Sequence, residues 1–338
     1  MHALVYTRPN EVRVQERPYP EMADGEVIVK IEAAGICGSD MHAYHGQDPR
    51  RAPGLVLGHE FAGTVVESRD ASIAVGDRVS GNPSATCGVC DNCLQGRSNL
   101  CSNRTMVGMT RPGAFAEYMS IPAASLIKLP GELASDAAAL TEPAATALHA
   151  INLAQRGLHR PLQEGRVLIL GGGAIGMLAA LLLTHYGVKR LAVVELNARR
   201  AESIRTHVGC EVLDTAKTPL AESTCELVLD CVGAAATRKA AFAAVKAGGA
   251  IVHIGLQDWA SEIDMRKLTL GEITLMGAFI YTLADMRATV RLLREGVFGD
   301  LAWVEKRSLA DGPAAFADLH HGRTAAAKVL LKPELGKT

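Results

Sequence analysis

Four cysteines stand close together in this chain, Cys87, Cys90, Cys93 and Cys101, with gaps of two, two and seven residues between them. Thiolates at such short spacing can converge on one tetrahedral metal. A closed all-sulfur shell leaves no position for water, so the zinc it implies is structural. Bacterial iron–sulfur runs also begin C-x2-C-x2-C, but they continue with three residues and Cys-Pro. Here the gap is seven residues and Ser102 follows, which favours zinc.

A second run with chemical content is Gly171-Gly172-Gly173-Ala174-Ile175-Gly176, a match to G-x-G-x-x-G. The match is weak alone. It gains weight because it follows the apolar run 166–170, opens a helical pattern, and is followed by an acidic residue, Glu195, at the end of the next apolar segment. Gly171 permits the tight turn, Gly173 lets a pyrophosphate approach the backbone, and Gly176 lets helix and strand pack closely. The helix N-terminus, with Ala174 and Ile175 in its first turn, offers free N–H groups and partial positive charge to phosphates. Glu195 would accept hydrogen bonds from the adenosine ribose and repel a 2′-phosphate, favouring NAD over NADP. Arg199 and Arg200 soften that preference, because a nearby Arg can accommodate the phosphate; the alternatives are that they sit on a solvated helix face or that one covers the adenine.

These sites need elements to hold them. The 338 residues suggest about two domains. Before Glu142-Pro143 the chain has short alternating segments broken by Gly and Pro, such as 26–32, 63–66 and 76–79, the pattern of a compact β-barrel-like domain. A helical stretch, 144–154, follows. Then strands at 166–170, 191–195, 227–231 and 250–256 alternate with a helix that follows the glycine run 171–176 and reaches Tyr186, and with helices at 197–208 and 235–247. The segment 273–279 supplies a last strand. This alternation specifies a parallel sheet with helices on both faces, and 328–331 reads as a final short strand.

Lys+Arg 35 balances Asp+Glu 36, no long basic run occurs, and aromatics are 4%, so a nucleic-acid partner is excluded. The N-terminus has no basic flank leading into an apolar core. The longest apolar stretch, 174–183, falls short of the roughly 20 residues a membrane span needs. We expect a cytoplasmic protein without a membrane partner.

The remaining candidates lie in Gly35-Ile36-Cys37-Gly38-Ser39-Asp40-Met41-His42 and Gly58-His59-Glu60. Singly, each has a bland reading: Cys37 as a small buried hydrophobe, His59 as a core histidine, Glu60 at a solvated strand end. Together with Gly76-Asp77-Arg78-Val79, the four cysteines, Thr141-Glu142-Pro143 and the glycine loop, they make the whole chain resemble the zinc-containing medium-chain dehydrogenase/reductase family, and within it the polyol (sorbitol, L-iditol, L-idonate-like) dehydrogenases.

That resemblance implies an α/β fold in which a Rossmann doubly wound parallel sheet domain, 146–283, is inserted into a GroES-like β-barrel catalytic domain. The barrel comprises 1–145 and 284–338 and carries a structural zinc lobe at 81–105. It implies one catalytic and one structural zinc, NAD, a small-molecule alcohol as substrate, and a homodimer or homotetramer. Cys37 and His59 become ligands of the catalytic zinc, with either Glu60 or Glu142 as a further ligand. Glu142 stands where simple alcohol dehydrogenases supply a second Cys, which points to a polyol or sugar-acid substrate. Ser39 matches the hydroxyl that accepts the substrate proton, Asp40 the carboxylate that orients the zinc-bound His, and His42 the outer relay to solvent. Thr146, Val232, Gly233, Ile254 and Lys328 are implied cofactor contacts, Lys328 at the pyrophosphate. Rival substrates are threonine, glucose-type sugars and simple secondary alcohols. A non-catalytic NAD-binding redox sensor is the reading from another class.

Overall fold

The strand Arg166–Leu170 is buried along nearly its whole length, as a parallel strand covered on both faces must be. In the computed structural model, which describes residues 1–334, it is central to a six-stranded sheet. The strands run in the order Glu211–Leu213, Arg190–Val194, Arg166–Leu170, Cys225–Asp230, Val245–His253 and Thr274–Gly277, and every neighbouring pair is parallel. The chain winds outward to one side, then crosses back to the other. The point of reversal lies between Arg166–Leu170 and Cys225–Asp230, and a crevice opens beyond their carboxyl ends.

Two elements differ from the sequence-based expectation. The three-residue strand Glu211–Leu213 was not anticipated, because none of its side chains is buried and it has no apolar run. The helix expected to reach residue 247 ends at Ala244. Val245 instead pairs with Cys225 and begins the next strand through a register shift. Strand pairing there outweighs the helix preference of an Ala-rich run.

The second sheet is organised by one strand, Glu26–Gly35, which pairs antiparallel with Glu60–Ser68, Tyr118–Pro122 and Lys328–Lys332. Arg78–Gly81 and Leu126–Lys128 extend one side, and Val304–Ser308 joins Lys328–Lys332 on the other. The last strands therefore return to the sheet organised by Glu26–Gly35, while His2–Arg8 and Glu11–Glu16 pair as a separate two-stranded sheet. Each sheet has its own core: Ile28, Phe61, Phe115 and Leu331 are among the fully buried side chains of one, and Val167, Ile169, Leu227 and Val252 of the other. The helix Thr141–Gly157 joins them, buried along most of its length and packed against the helix Leu283–Arg294. Among the described residues no helix is long and apolar enough to cross a membrane.

Candidate active site

Strand register brings the two candidate segments together. Gly35, at the end of its strand, pairs with Glu60, the first residue of the next, so Cys37 and His59 emerge side by side. A Cβ on Gly35 would lie 1.9 Å from Glu60 Oε2, so only glycine leaves room for that carboxylate. Gly58, at φ +92°, makes the turn that delivers His59. Cys37 caps the short helix Gly38–Tyr44, its N–H donating to Asp40 Oδ2 at 3.0 Å. That helix carries Ser39, Asp40 and His42 beside the ligand candidates.

One ligand atom each from Cys37, His59 and Glu60 lies within 4.8 Å of the others. The donor set, one thiolate, one imidazole and one carboxylate, suits zinc with a position left open. A further observation supports the fit. His59 Nδ1 and Asp40 Oδ1 are both wholly buried, 3.5 Å apart, and neither has a hydrogen-bond partner among the described residues. Nδ1 faces the carboxylate, which leaves Nε2 as the ring's ligand atom. Metal-bound histidines are generally held by just such a carboxylate. Burial pulls His59 down, but the Asp40 carboxylate and Cys37 hold its pKa well above the ordinary value. Burial pushes Asp40 up, but His59 and Arg51 keep it lowered.

Glu142 lies outside that group of converging atoms, buried in the first turn of Thr141–Gly157. Burial pushes its carboxyl up to about 7, with the charge of Glu60 adding and that of His59 opposing. Beside it lies Tyr281, fully buried, with a hydroxyl that makes no well-formed hydrogen bond. The residue before it, Ile280, has φ +42°, a costly conformation for a β-branched side chain. Nothing in the sequence around Tyr281 marked it as part of the site.

Lys328, expected at the cofactor's pyrophosphate, is buried, and its Nζ donates to both Glu60 oxygens at 2.7 Å and to Ile36 O at 2.9 Å. These three bonds use all three ammonium donors.

In the lobe, Cys90 and Cys93 Sγ lie 3.5 Å apart, as do Cys87 and Cys101 Sγ, and all four sulfurs fall within 4.8 Å of one another. The backbone N–H groups of Val89 and Cys90 hold Cys87 down at about 6, favouring a thiolate. Asn99 Nδ2 donates to Phe279 O at 3.0 Å, and Arg104 lies over the Phe279 ring at 4.9 Å. The lobe thus anchors the segment that ends in Tyr281.

At the crevice, Gly171 has φ +95°, and a Cβ on Gly176 would lie 1.9 Å from Gly171 O. A Cβ on Gly173 would meet nothing within 4 Å, so the backbone faces open space just before the helix Ala174–His185, whose first residues are Ala174 and Ile175. Glu195 Oε2 accepts from Gly172 N–H at 3.0 Å, and Arg200 donates to both Glu195 oxygens at 3.1 and 3.2 Å. Val232 and Gly233 N–H both donate to Asp230 Oδ1, and Ile254 N–H to Asp230 O. These turns meet beside Gly171, while Thr146 stands one helical turn after Glu142 and donates to its carbonyl at 3.4 Å.

Residues 23–131 match the alcohol dehydrogenase GroES-like domain, and residues 174–295 match the zinc-binding dehydrogenase domain. The chain is 34% identical over 295 residues to an L-threonine 3-dehydrogenase of Pectobacterium carotovorum subsp. carotovorum (strain PC1), covering 83% of this chain and 82% of that one. The chain belongs to the zinc-containing medium-chain dehydrogenase/reductase family. A zinc-binding dehydrogenase of Sinorhizobium meliloti 1021, solved with NADP, superimposes with TM-score 0.87 at 31% identity over 98% of this chain and 99% of its own. The L-idonate 5-dehydrogenase of Escherichia coli str. K-12 substr. MG1655 does so with TM-score 0.85 at 26% identity, over 98% and 97%. As a family member the chain is a zinc-binding oxidoreductase with the two-domain α/β fold.

Proposed function

We propose that this dehydrogenase oxidises a secondary hydroxyl of a small polar substrate, a polyol or sugar acid, using NAD. The observation that carries the reading is the convergence of Cys37, His59 and Glu60, backed by the unpaired His59–Asp40 couple. Cys37, His59 and Glu60 would hold the zinc, which would supply Lewis-acid polarisation of the substrate hydroxyl, and NAD would supply the hydride acceptor.

The chain's own residues do the rest. Asp40 orients His59, Ser39 takes the proton leaving the substrate hydroxyl, and half-buried His42 passes it toward solvent. Burial and the Arg51 charge keep His42 below its ordinary pKa, which suits a group that must accept a proton near neutrality. Glu142 and the unpaired Tyr281 hydroxyl offer polar contacts for a substrate rich in hydroxyls. The open backbone at Gly173 receives the pyrophosphate and Glu195 the adenosine ribose, which favours NAD. Thr146, Val232, Gly233, Ile254 and Arg200 are secondary cofactor contacts. A homodimer or homotetramer belongs to this reading. The edge strand Thr274–Gly277, with exposed Leu275 and nearby exposed Trp259 and Met265, supports it.

L-threonine is the second reading, favoured by the named relatives. The two are separated by kcat/KM across polyols, sugar acids, L-threonine, glucose and simple secondary alcohols, with NAD and with NADP. The highest value for a polyol or sugar acid with NAD supports the first reading. The highest value for L-threonine replaces it with the second.

A further inference from the structure

Arg50 and Arg51 look alike in sequence, a basic pair in the segment Gln47-Asp48-Pro49-Arg50-Arg51. The structure separates them. Arg50 is largely exposed and paired with Asp48, whereas the Arg51 side chain is 0% exposed. Its Nε donates to Gly108 O at 2.9 Å, and one terminal nitrogen donates to Ser39 O at 2.7 Å and Asp48 Oδ2 at 2.9 Å. The other terminal nitrogen reaches Ser39 Oγ at 3.3 Å and lies 3.5 Å from Asp40 Oδ1. A buried guanidinium is costly unless its donors are used, and here four hydrogen bonds and the ion pair with Asp40 compensate it.

We infer that Arg51 is a positioning residue that sets the polarity of the Ser39 hydroxyl. This rests on the proposed role of Ser39 as acceptor of the substrate proton. A hydroxyl has one proton and two lone pairs. Arg51 occupies one lone pair and, by holding the Ser39 carbonyl, fixes where the side chain starts. One lone pair and one proton remain free. A group that must take a proton on one side and release its own on the other needs that pair of valences. A guanidinium never turns into an acceptor near neutrality, so it cannot reverse the hydroxyl. A lysine keeps the charge but loses the planar fork that grips carbonyl and hydroxyl together.

The test is a double-mutant cycle of Arg51→Lys with Ser39→Ala, read by steady-state kinetics and by the absorption spectrum of the cobalt(II)-substituted protein. Arg51→Met serves as the second substitution at that position. The expected result is a loss of kcat on the order of tenfold for Arg51→Lys with KM nearly unchanged, shrinking below about twofold in the Ser39→Ala background. The cobalt spectrum is expected to be unchanged, since the ligands are untouched. Equal losses in both backgrounds, with Ser39→Ala itself impaired, would overturn the role of Arg51 and leave that of Ser39 standing. A changed spectrum would also overturn it, placing the effect of Arg51 at the metal through Asp40 and His59. If Ser39→Ala leaves kcat intact, the proton role of Ser39 and the inference fall together.

Discussion

His59 Nδ1 and Asp40 Oδ1 face each other at 3.5 Å, both buried and neither hydrogen-bonded among the described residues. Buried polar groups without a hydrogen bond are expensive, and a metal on the far ring nitrogen would give the couple its purpose. Asp40→Asn is therefore expected to weaken the catalytic zinc by roughly 10–100-fold. Metal-to-protein ratios under a graded chelator check this: the cysteine-lobe zinc should stay and the second zinc should leave at lower chelator. Unchanged retention of both would count against the pairing.

Zinc uptake should depend on pH through Glu142. Its carboxyl, raised to about 7 chiefly by burial, holds a proton in the metal-free protein below that pH. The cation favours the ionised form, so affinity falls as pH drops below about 7 and binding releases protons. Calorimetry in buffers of different ionisation enthalpy counts them. Glu142→Gln should lower the count near pH 7 by roughly half a proton.

Cofactor choice should turn on Glu195. The carboxylate is gripped by Arg200 and by Gly172 N–H. Glu195→Ser removes the repulsion of a 2′-phosphate and frees Arg200 to bind one. The ratio of kcat/KM for NADP over NAD is expected to rise by about tenfold or more, the scale of one charge-assisted contact. A ratio that stays put would remove Glu195 from the ribose site.

The cysteine lobe should matter at a distance. Because Asn99 and Arg104 hold Phe279, two residues before Tyr281, Cys93→Ser should drop one zinc per chain, lower Tm and also depress kcat. Loss of zinc with full activity would show that the anchor is dispensable.

Asp285 should contribute acid-sensitive stability. Burial raises its pKa, but His149, Thr282 and Asn152 donate to it and hold it lowered. A depressed carboxylate stabilises the fold above its unfolded pKa of about 3.9, and that contribution is lost as pH falls toward the folded value. Asp285→Asn is expected to cost about 1–3 kcal/mol at pH 7, with the Tm gap to the native chain beginning to narrow only below about pH 4.

Short-range spacing made the cysteine lobe and the glycine turn legible, because all the residues involved sit within one loop or turn. Cys37 lies far in sequence from the His59–Glu60 pair and meets it only through the Gly35–Glu60 strand pairing, so the resemblance, not the residues alone, marks them. The contact of Lys328 with Glu60 is illegible in sequence for the same reason: it is decided by which strands neighbour Glu26–Gly35. Arg51 and Tyr281 carried no local signal, since burial of a lone Arg or Tyr depends on packing from distant segments. The strand Glu211–Leu213 was missed because an edge strand of three residues without buried side chains has no period to read.

The most direct test of the central claim is turnover followed through removal and return of the weaker zinc. Protein carrying both zincs is treated with chelator until only the cysteine-lobe metal remains, assayed for NADH formation with a polyol or sugar acid, and reloaded with one equivalent. The account predicts that activity vanishes with the second zinc and returns with it in native protein, and does not return in His59→Ala. Undiminished turnover by protein holding only the lobe zinc would contradict it.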